Sequence, residues 1–95
     1  HGAGGSAGGE LLAVARRLVG APEGATWWRG QDLVAVARAA DLAAPLPALD
    51  EDYEEPRLAA LVMAEAGVGI AETAARLGTY DRQVSRWRDA EADRA

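Results

Sequence analysis

Apolar residues recur at helical spacing along most of this chain, with polar residues between them. Leu11, Val14, Ala15 and Leu18, for example, would share one side of a helix. The same pattern predicts five helices, at about residues 10–19, 31–40, 56–66, 70–77 and 81–92. Most apolar positions are Ala, Leu or Val, and Ala and Leu favour helices because they lose little side-chain entropy there. The predicted fold class is all-α, a small helical bundle.

Proline marks where helices cannot continue and where one begins. Pro45 and Pro47 exclude a helix between residues 41 and 50, which is predicted to be an irregular connection. The acidic run DEDYEE at 50–55 leads into Pro56, which suits the first turn of a helix. This run lacks the glycine and the ligand spacing of a calcium loop, so it is interpreted as a solvated linker and helix start.

The last two predicted helices have the residues that a helix-turn-helix requires. Ile70, Ala74 and Leu77 form one apolar face, with a small residue where a second helix must approach closely. Gly78 follows and can adopt the left-handed backbone of a tight turn. Val84 and Trp87, three residues apart, form the matching apolar face of the last helix.

The opposite side of the last helix is rich in hydrogen-bond donors. At 100° per residue, with the inward direction midway between Val84 and Trp87, the outward residues are Arg82, Ser85, Arg86 and Asp89, with Gln83 and Arg88 on the flanks. Arginine and glutamine are the residue types that bind guanine and adenine edges or DNA phosphates. Thr79 and Tyr80, in the predicted turn, are placed to donate hydroxyl hydrogen bonds to a phosphate.

Residues 70–89, IAETAARLGTYDRQVSRWRD, resemble the helix-turn-helix of homeodomain-like bacterial DNA-binding proteins, a group with transposase, resolvase, terminase small-subunit and regulator modules. The resemblance depends on Ala74, Gly78, Val84 and the closing residues 85–88. With residues 56–66 as the first helix, it covers about 35 of the 95 residues. It implies base-reading roles for Arg82, Gln83 and Arg86, and phosphate contacts for Thr79, Tyr80 and Arg88.

The predicted organisation has three parts. Residues 1–9, HGAGGSAGG, are interpreted as a flexible linker or a tag remnant. Residues 10–49 are a helical pair for packing or dimerisation, and residues 50–95 are the helix-turn-helix unit. A degenerate second helix-turn-helix in the first half is the alternative to a packing role, although its prolines fall where a recognition helix would lie.

Charge is distributed unevenly between these parts. The net charge is −5, which opposes a nucleic-acid partner. Residues 1–55 carry nine acids and four arginines, whereas residues 56–95 carry six of each. From Arg76 to Arg88, four arginines stand against Asp81 alone. The arginine surplus therefore coincides with the predicted helix-turn-helix and favours DNA as its partner.

The residue types in the chain give little evidence for catalysis or for a bound cofactor. Cysteine is absent and His1 is the single histidine, so no catalytic residue, metal site or cofactor is predicted. No apolar run approaches the roughly 20 residues of a membrane span. A cytoplasmic, non-enzymatic protein is therefore expected.

The predicted function is sequence-specific binding of double-stranded DNA through a recognition helix at about residues 81–90. The chain would serve as a transcriptional regulator or as the DNA-binding module of a larger DNA-transaction protein. Acids on or after that helix, at positions 81, 89, 91 and 93, predict modest binding by one copy and favour a homodimer.

A protein-interaction module is the alternative function, in which the acidic N-terminal half and Trp27 with Trp28 recruit a partner. The competing interpretation of these rings is that at least one fills the core, because the chain has no Phe.

Overall fold

A computed structural model describes residues 3–94 of the chain, and the side chains of residues 9–93. In chain order the elements are α1 (Ala3–Val19), β1 (Trp27–Trp28), β2 (Gln31–Asp32), α2 (Leu33–Ala40), a 3-10 turn (Glu51–Tyr53), α3 (Glu55–Glu65), α4 (Ile70–Leu77) and α5 (Asp81–Arg94). The all-α prediction is confirmed, with five helices and one two-residue strand pair in the described residues.

The predicted helices differ from the observed ones mainly at the N-terminus. Helix α1 begins at Ala3, seven residues before the predicted start at Glu10, so most of the segment interpreted as a linker lies in its first two turns. Residues 1 and 2, including His1, lie outside the described residues. Residues 41–50 contain no helix, as the two prolines predict.

A short β-hairpin that the apolar pattern did not predict precedes α2. Trp27 pairs with Asp32 and Trp28 with Gln31, in antiparallel register. The two residues between the strands both have positive φ, 52° at Arg29 and 84° at Gly30. Positive φ at both central residues is typical of a type I′ turn, whose twist matches that of the paired strands.

Gly30 also lies against the side chain of Tyr53. A Cβ atom added at Gly30 would overlap the Tyr53 ring. Glycine is therefore required here both by the backbone conformation and by the neighbouring ring. The contact holds the hairpin against the 3-10 turn that precedes α3.

Helix α3 is the centre of the bundle. Buried residues occupy most of its surface: Leu58, Ala59, Ala60, Leu61, Val62 and Met63. All four other helices pack against it. Its buried alanines let the neighbouring helices approach closely, which explains how an alanine-rich chain without Phe fills its core.

One hydrophobic core joins the N-terminal half to the C-terminal half. Leu33 and Val36 of α2 are fully buried in the same cluster as Val62 and Met63 of α3. Ala15 of α1 is fully buried there as well. The helical pair therefore packs directly on the first helix of the helix-turn-helix unit.

Glu55 gives a polar link between the two halves and corrects the interpretation of the acidic run. It is only 3% exposed, and its carboxylate accepts the backbone N–H groups of Asp32 and Asp50, both at 2.7 Å. The run at 50–55 was predicted to be solvated, which is right for Glu51, Asp52 and Glu54. For Glu55 it is wrong, because a carboxylate with two charge-assisted hydrogen bonds can be buried.

Candidate nucleic-acid interface

The turn between α4 and α5 has the predicted tight geometry. Gly78 has φ 68° and ψ 31°, the left-handed conformation expected of a glycine after a helix. The N–H of Thr79 donates to the Ala74 carbonyl at 2.9 Å, and that of Gly78 donates to Ala75 at 3.4 Å. Helix α5 then begins at Asp81, so only residues 78–80 separate the two helices.

The inward face of α5 is the one that the sequence predicts, whereas α4 buries Thr73, which the apolar pattern does not include, together with the predicted Ala74. Ala74 is 2% exposed and Val84 is fully buried. Leu77 packs in part against the core, and Trp87 is half-buried. The small side chain of Ala74 is therefore buried, as close packing of a neighbouring helix on α4 would require.

The outward face of α5 carries Arg82 and Arg86. Both are exposed, as are Asp89 and Asp93 further along the helix. From Val84, Arg82 and Arg86 lie about 160° around the helix axis at 100° per residue, which places them opposite the buried face. Within the part of the chain whose side chains are described, neither guanidinium has an ion-pair or hydrogen-bond partner.

The other predicted contact residues lie at the edge of this face. Tyr80 is 61% exposed, whereas Thr79, Gln83 and Ser85 are half-buried. Thr79, Tyr80 and Gln83 line one wall of a groove of about 420 Å³. The turn and the first two turns of α5 thus bring hydroxyl, amide and guanidinium donors to one side of the molecule.

Arg88 differs from the other predicted contact residues because its guanidinium points into the protein. Its Nη2 donates to the Val68 carbonyl at 2.8 Å and to the Thr73 hydroxyl at 3.2 Å, and its Nε is buried. The Thr73 hydroxyl in turn donates to the Gly69 carbonyl at 2.9 Å. Arg88 therefore joins α5 to the connection between α3 and α4.

Arg76 also stabilises the fold, a role that the sequence analysis did not identify. Its Nε donates to the Ala39 carbonyl at 2.9 Å, and its Nη2 lies within 2.7–3.1 Å of the carbonyls of Arg38, Asp41 and Ala44. These groups surround the C-terminus of α2, where a cation compensates the partial negative charge of the helix end. Only Arg82 and Arg86, of the four arginines from 76 to 88, are left for an external partner.

The described part of the chain holds no cluster of three or more histidine, aspartate or glutamate side chains suited to a metal ion. None of its helices combines the length and apolar character needed to cross a bilayer.

Comparison with known families agrees with this geometry. Residues 54–94 match the family model described as a homeodomain-like domain. This part of the chain is therefore similar to a homeodomain-like helix-turn-helix domain. Its three helices are α3, α4 and α5, and such a domain indicates DNA as the partner. Searches of curated proteins and of solved structures gave no significant match.

Proposed function

We propose that the chain binds double-stranded DNA with sequence specificity, with α5 of the homeodomain-like domain lying in the major groove. The proposal depends on one observation above all: Arg82 and Arg86 are exposed opposite the buried Val84, without partners among the described side chains. An outward pair of guanidinium groups on the second helix of a helix-turn-helix is the arrangement that contacts base edges.

Each contact residue has a separate role in this proposal. Arg82, Gln83 and Arg86 bind base edges, because a guanidinium or amide can make two hydrogen bonds to one purine. Thr79 and Tyr80 donate hydroxyl hydrogen bonds to a phosphate beside the turn, and so fix the register of the helix. Ser85 precedes Arg86 on α5, and its half-buried hydroxyl is placed to make a further hydrogen bond to a base edge.

Arg88 is left out of the DNA contacts, although the sequence resemblance implied one. Its Nη2 group already donates to two acceptors within the protein. Moving it to a phosphate would leave the Val68 carbonyl without that donor. We therefore assign Arg88 to holding α5 at its angle.

A single copy is expected to bind weakly. With Arg82 and Arg86 on base edges, the helix-turn-helix has few cations left to neutralise phosphates, and the net charge of −5 opposes approach to DNA. A homodimer would double the contacts and bind two half-sites about 34 Å apart, one turn of the duplex. In a bacterial cell such a protein would act in the cytoplasm, as a transcriptional regulator or as the DNA-binding module of a larger DNA-transaction protein, without catalysis of its own.

Fluorescence anisotropy with labelled duplexes tests the proposal. A pool of random duplexes is first enriched for bound sequences, and the enriched duplex is then titrated at low and moderate salt. The variant Arg82→Ala with Arg86→Ala is expected to lose at least tenfold in affinity. Arg17→Ala with Arg38→Ala is the matched control, because both side chains are exposed elsewhere and the change in net charge is the same. Absence of binding at low salt, or equal loss in both variants, contradicts the proposal.

Protein recruitment is a second candidate, and exposure of Trp27 favours it. Trp27 is 60% exposed, whereas Trp28 is half-buried and packs against the core. An exposed tryptophan beside acidic segments suits contact with a basic or apolar partner. Charge reversal at Asp50, Glu51 and Asp52 would abolish such recruitment, whereas loss of Arg82 and Arg86 would leave it unchanged.

A further inference from the structure

The acidic residues before α3 share a groove with the phosphate-contact positions of the helix-turn-helix. Glu51 and Glu54 line one wall of the groove of about 420 Å³, and Thr79, Tyr80 and Gln83 line the other. Both glutamates are exposed. A DNA strand that contacts Thr79 and Tyr80 would therefore run close to two carboxylates.

The backbone that carries these two glutamates is held in place by the fold. The backbone of the 3-10 turn is held by Glu55, whose buried carboxylate accepts the Asp50 N–H at 2.7 Å. Gln31 Nε2 donates to the Tyr53 carbonyl at 3.0 Å. The Tyr53 ring also lies against Gly30, so two contacts join the acidic turn directly to the hairpin, and Glu55 adds a third link by accepting the Asp32 N–H. The turn is therefore a fixed neighbour of the DNA-binding face.

Among the described residues that line this groove, no cation compensates both carboxylates. Arg57 also lines the groove, but its Nη2 lies 3.7 Å from Glu91 Oε1 and its charge is shared with that acid. The other lining residues are uncharged: Pro56, Leu77, Gly78, Thr79, Tyr80, Gln83 and Trp87. The groove wall keeps a negative charge beside the site where phosphates would bind.

We propose that Glu51 and Glu54 limit the affinity of this protein for DNA by repelling the backbone beside the helix-turn-helix turn. The inference rests on the proposed function and deepens it. Phosphate contacts supply nearly all of the free energy of non-specific binding. Repulsion of the phosphates by Glu51 and Glu54 therefore lowers the affinity of the protein for non-specific DNA. Stable complexes then require the base contacts of Arg82 and Arg86. The acidic turn thereby keeps the protein from being sequestered by unrelated sequences.

The test uses a double variant that carries both Glu51→Gln and Glu54→Gln. Its affinity for a random-sequence duplex is compared with that of the parent chain. Removing two charges within a Debye length of the backbone is expected to tighten binding roughly three- to tenfold at 50 mM salt. The slope of log affinity against log salt concentration should steepen by about 1 to 2. Both side chains are exposed and Glu54 makes no side-chain cap bond, so the variant is expected to fold, which circular dichroism checks.

Glu10→Gln with Glu23→Gln is the matched control. Both residues are exposed, neither lines the groove, and the change in net charge is the same. The inference is supported if the double variant at Glu51 and Glu54, the groove variant, binds more tightly than the parent and the control does not. This includes the case in which the parent binds too weakly to measure. Equal affinities of the groove variant and the control overturn it while the Arg82 and Arg86 test still holds. Absence of binding by every variant overturns the proposed function itself.

Discussion

Arg88 of α5 donates a hydrogen bond from Nη2 to the hydroxyl of Thr73 in α4, across 3.2 Å. Thr73 is fully buried, so this bond connects the two helices of the helix-turn-helix behind their apolar crossing. The same Nη2 reaches the Val68 carbonyl in the connection that precedes α4. One side chain thus ties the last helix to both segments before it and fixes the angle at which Arg82 and Arg86 are presented.

Replacing Arg88 with alanine is expected to destabilise the fold. The Val68 carbonyl and the Thr73 hydroxyl would each lose a donor, at a cost of about 1–3 kcal/mol in the free energy of unfolding. Urea denaturation followed by tryptophan fluorescence measures this cost. Arg86→Ala is the control, because that side chain is exposed and its loss should change stability by less than about 0.5 kcal/mol. Equal stabilities of the two variants would show that the inward bonds contribute nothing.

Arg76→Ala should weaken the junction between α2 and the helix-turn-helix. Its Nε and Nη2 lie within hydrogen-bond distance of four carbonyls around the end of α2, and we expect a loss of about 2–3 kcal/mol without them. Arg76→Lys should recover only part of this, because an ammonium lacks the planar fork that spans several acceptors. In thermal melts, we expect the parent chain to have the highest Tm, the lysine variant a lower one and the alanine variant the lowest. Full recovery by lysine would mean that charge alone matters. Arg38→Ala, at an exposed side chain of the same helix end, is the control.

Gly30→Ala and Gly24→Ala separate backbone strain from packing. The two glycines have nearly equal φ, 84° and 85°, but a Cβ at Gly24 would meet nothing within 4 Å. Gly24→Ala should therefore cost about 1–2 kcal/mol, the penalty of a left-handed alanine. Gly30→Ala should cost about 1–3 kcal/mol more, because the methyl group displaces the Tyr53 ring. Chemical denaturation gives both values.

The extra cost at Gly30 should largely disappear when Tyr53 is also replaced by alanine. A difference between the two glycine variants that persists in the Tyr53→Ala background would exclude the ring as its cause. Tyr53 is 52% exposed, so its own replacement is tolerable.

Residues 50–95 are not expected to fold alone. Without α1 and α2, the buried faces of Leu58, Val62 and Met63 would be exposed to water, and the homeodomain-like unit would lose most of its core. We expect a shallow thermal transition for this fragment. The fragment of residues 10–95, which keeps the core residues of α1, should melt cooperatively like the whole chain. A sharp transition for 50–95 would instead establish two independent domains.

Much of the fold was predictable because its signals are local. The helical spacing of apolar residues, Gly78 after α4 and the opposed positions of Val84 and Arg86 depend on neighbours within two helical turns. The exposed face of α5 could be predicted for the same reason. The DNA-contact roles of the residues on that face stay predictions.

The unpredicted features depend on residues distant in sequence. Arg76 bonds to carbonyls more than thirty positions away, and Glu55 bonds to Asp32 across 23. An arginine on a helix surface carries no local sign of whether it will turn inward, so Arg76 and Arg88 were grouped with Arg82 and Arg86. The hairpin had a local signal in Gly30, but its two-residue strands are too short for alternation to be evident.

The exposed side of α5 changes sign along its length, with Arg82 and Arg86 in the first two turns and Asp89 and Asp93 after them. If DNA binds as proposed, the two guanidinium groups on this face attract its backbone, whereas the carboxylates further along the same face repel it. Under the proposed function, the N-terminal end of α5 would enter the major groove, and the helix would tilt so that its C-terminal turns lie away from the DNA backbone. Its footprint on the duplex would be short, and a long operator would have to be assembled from separate insertions.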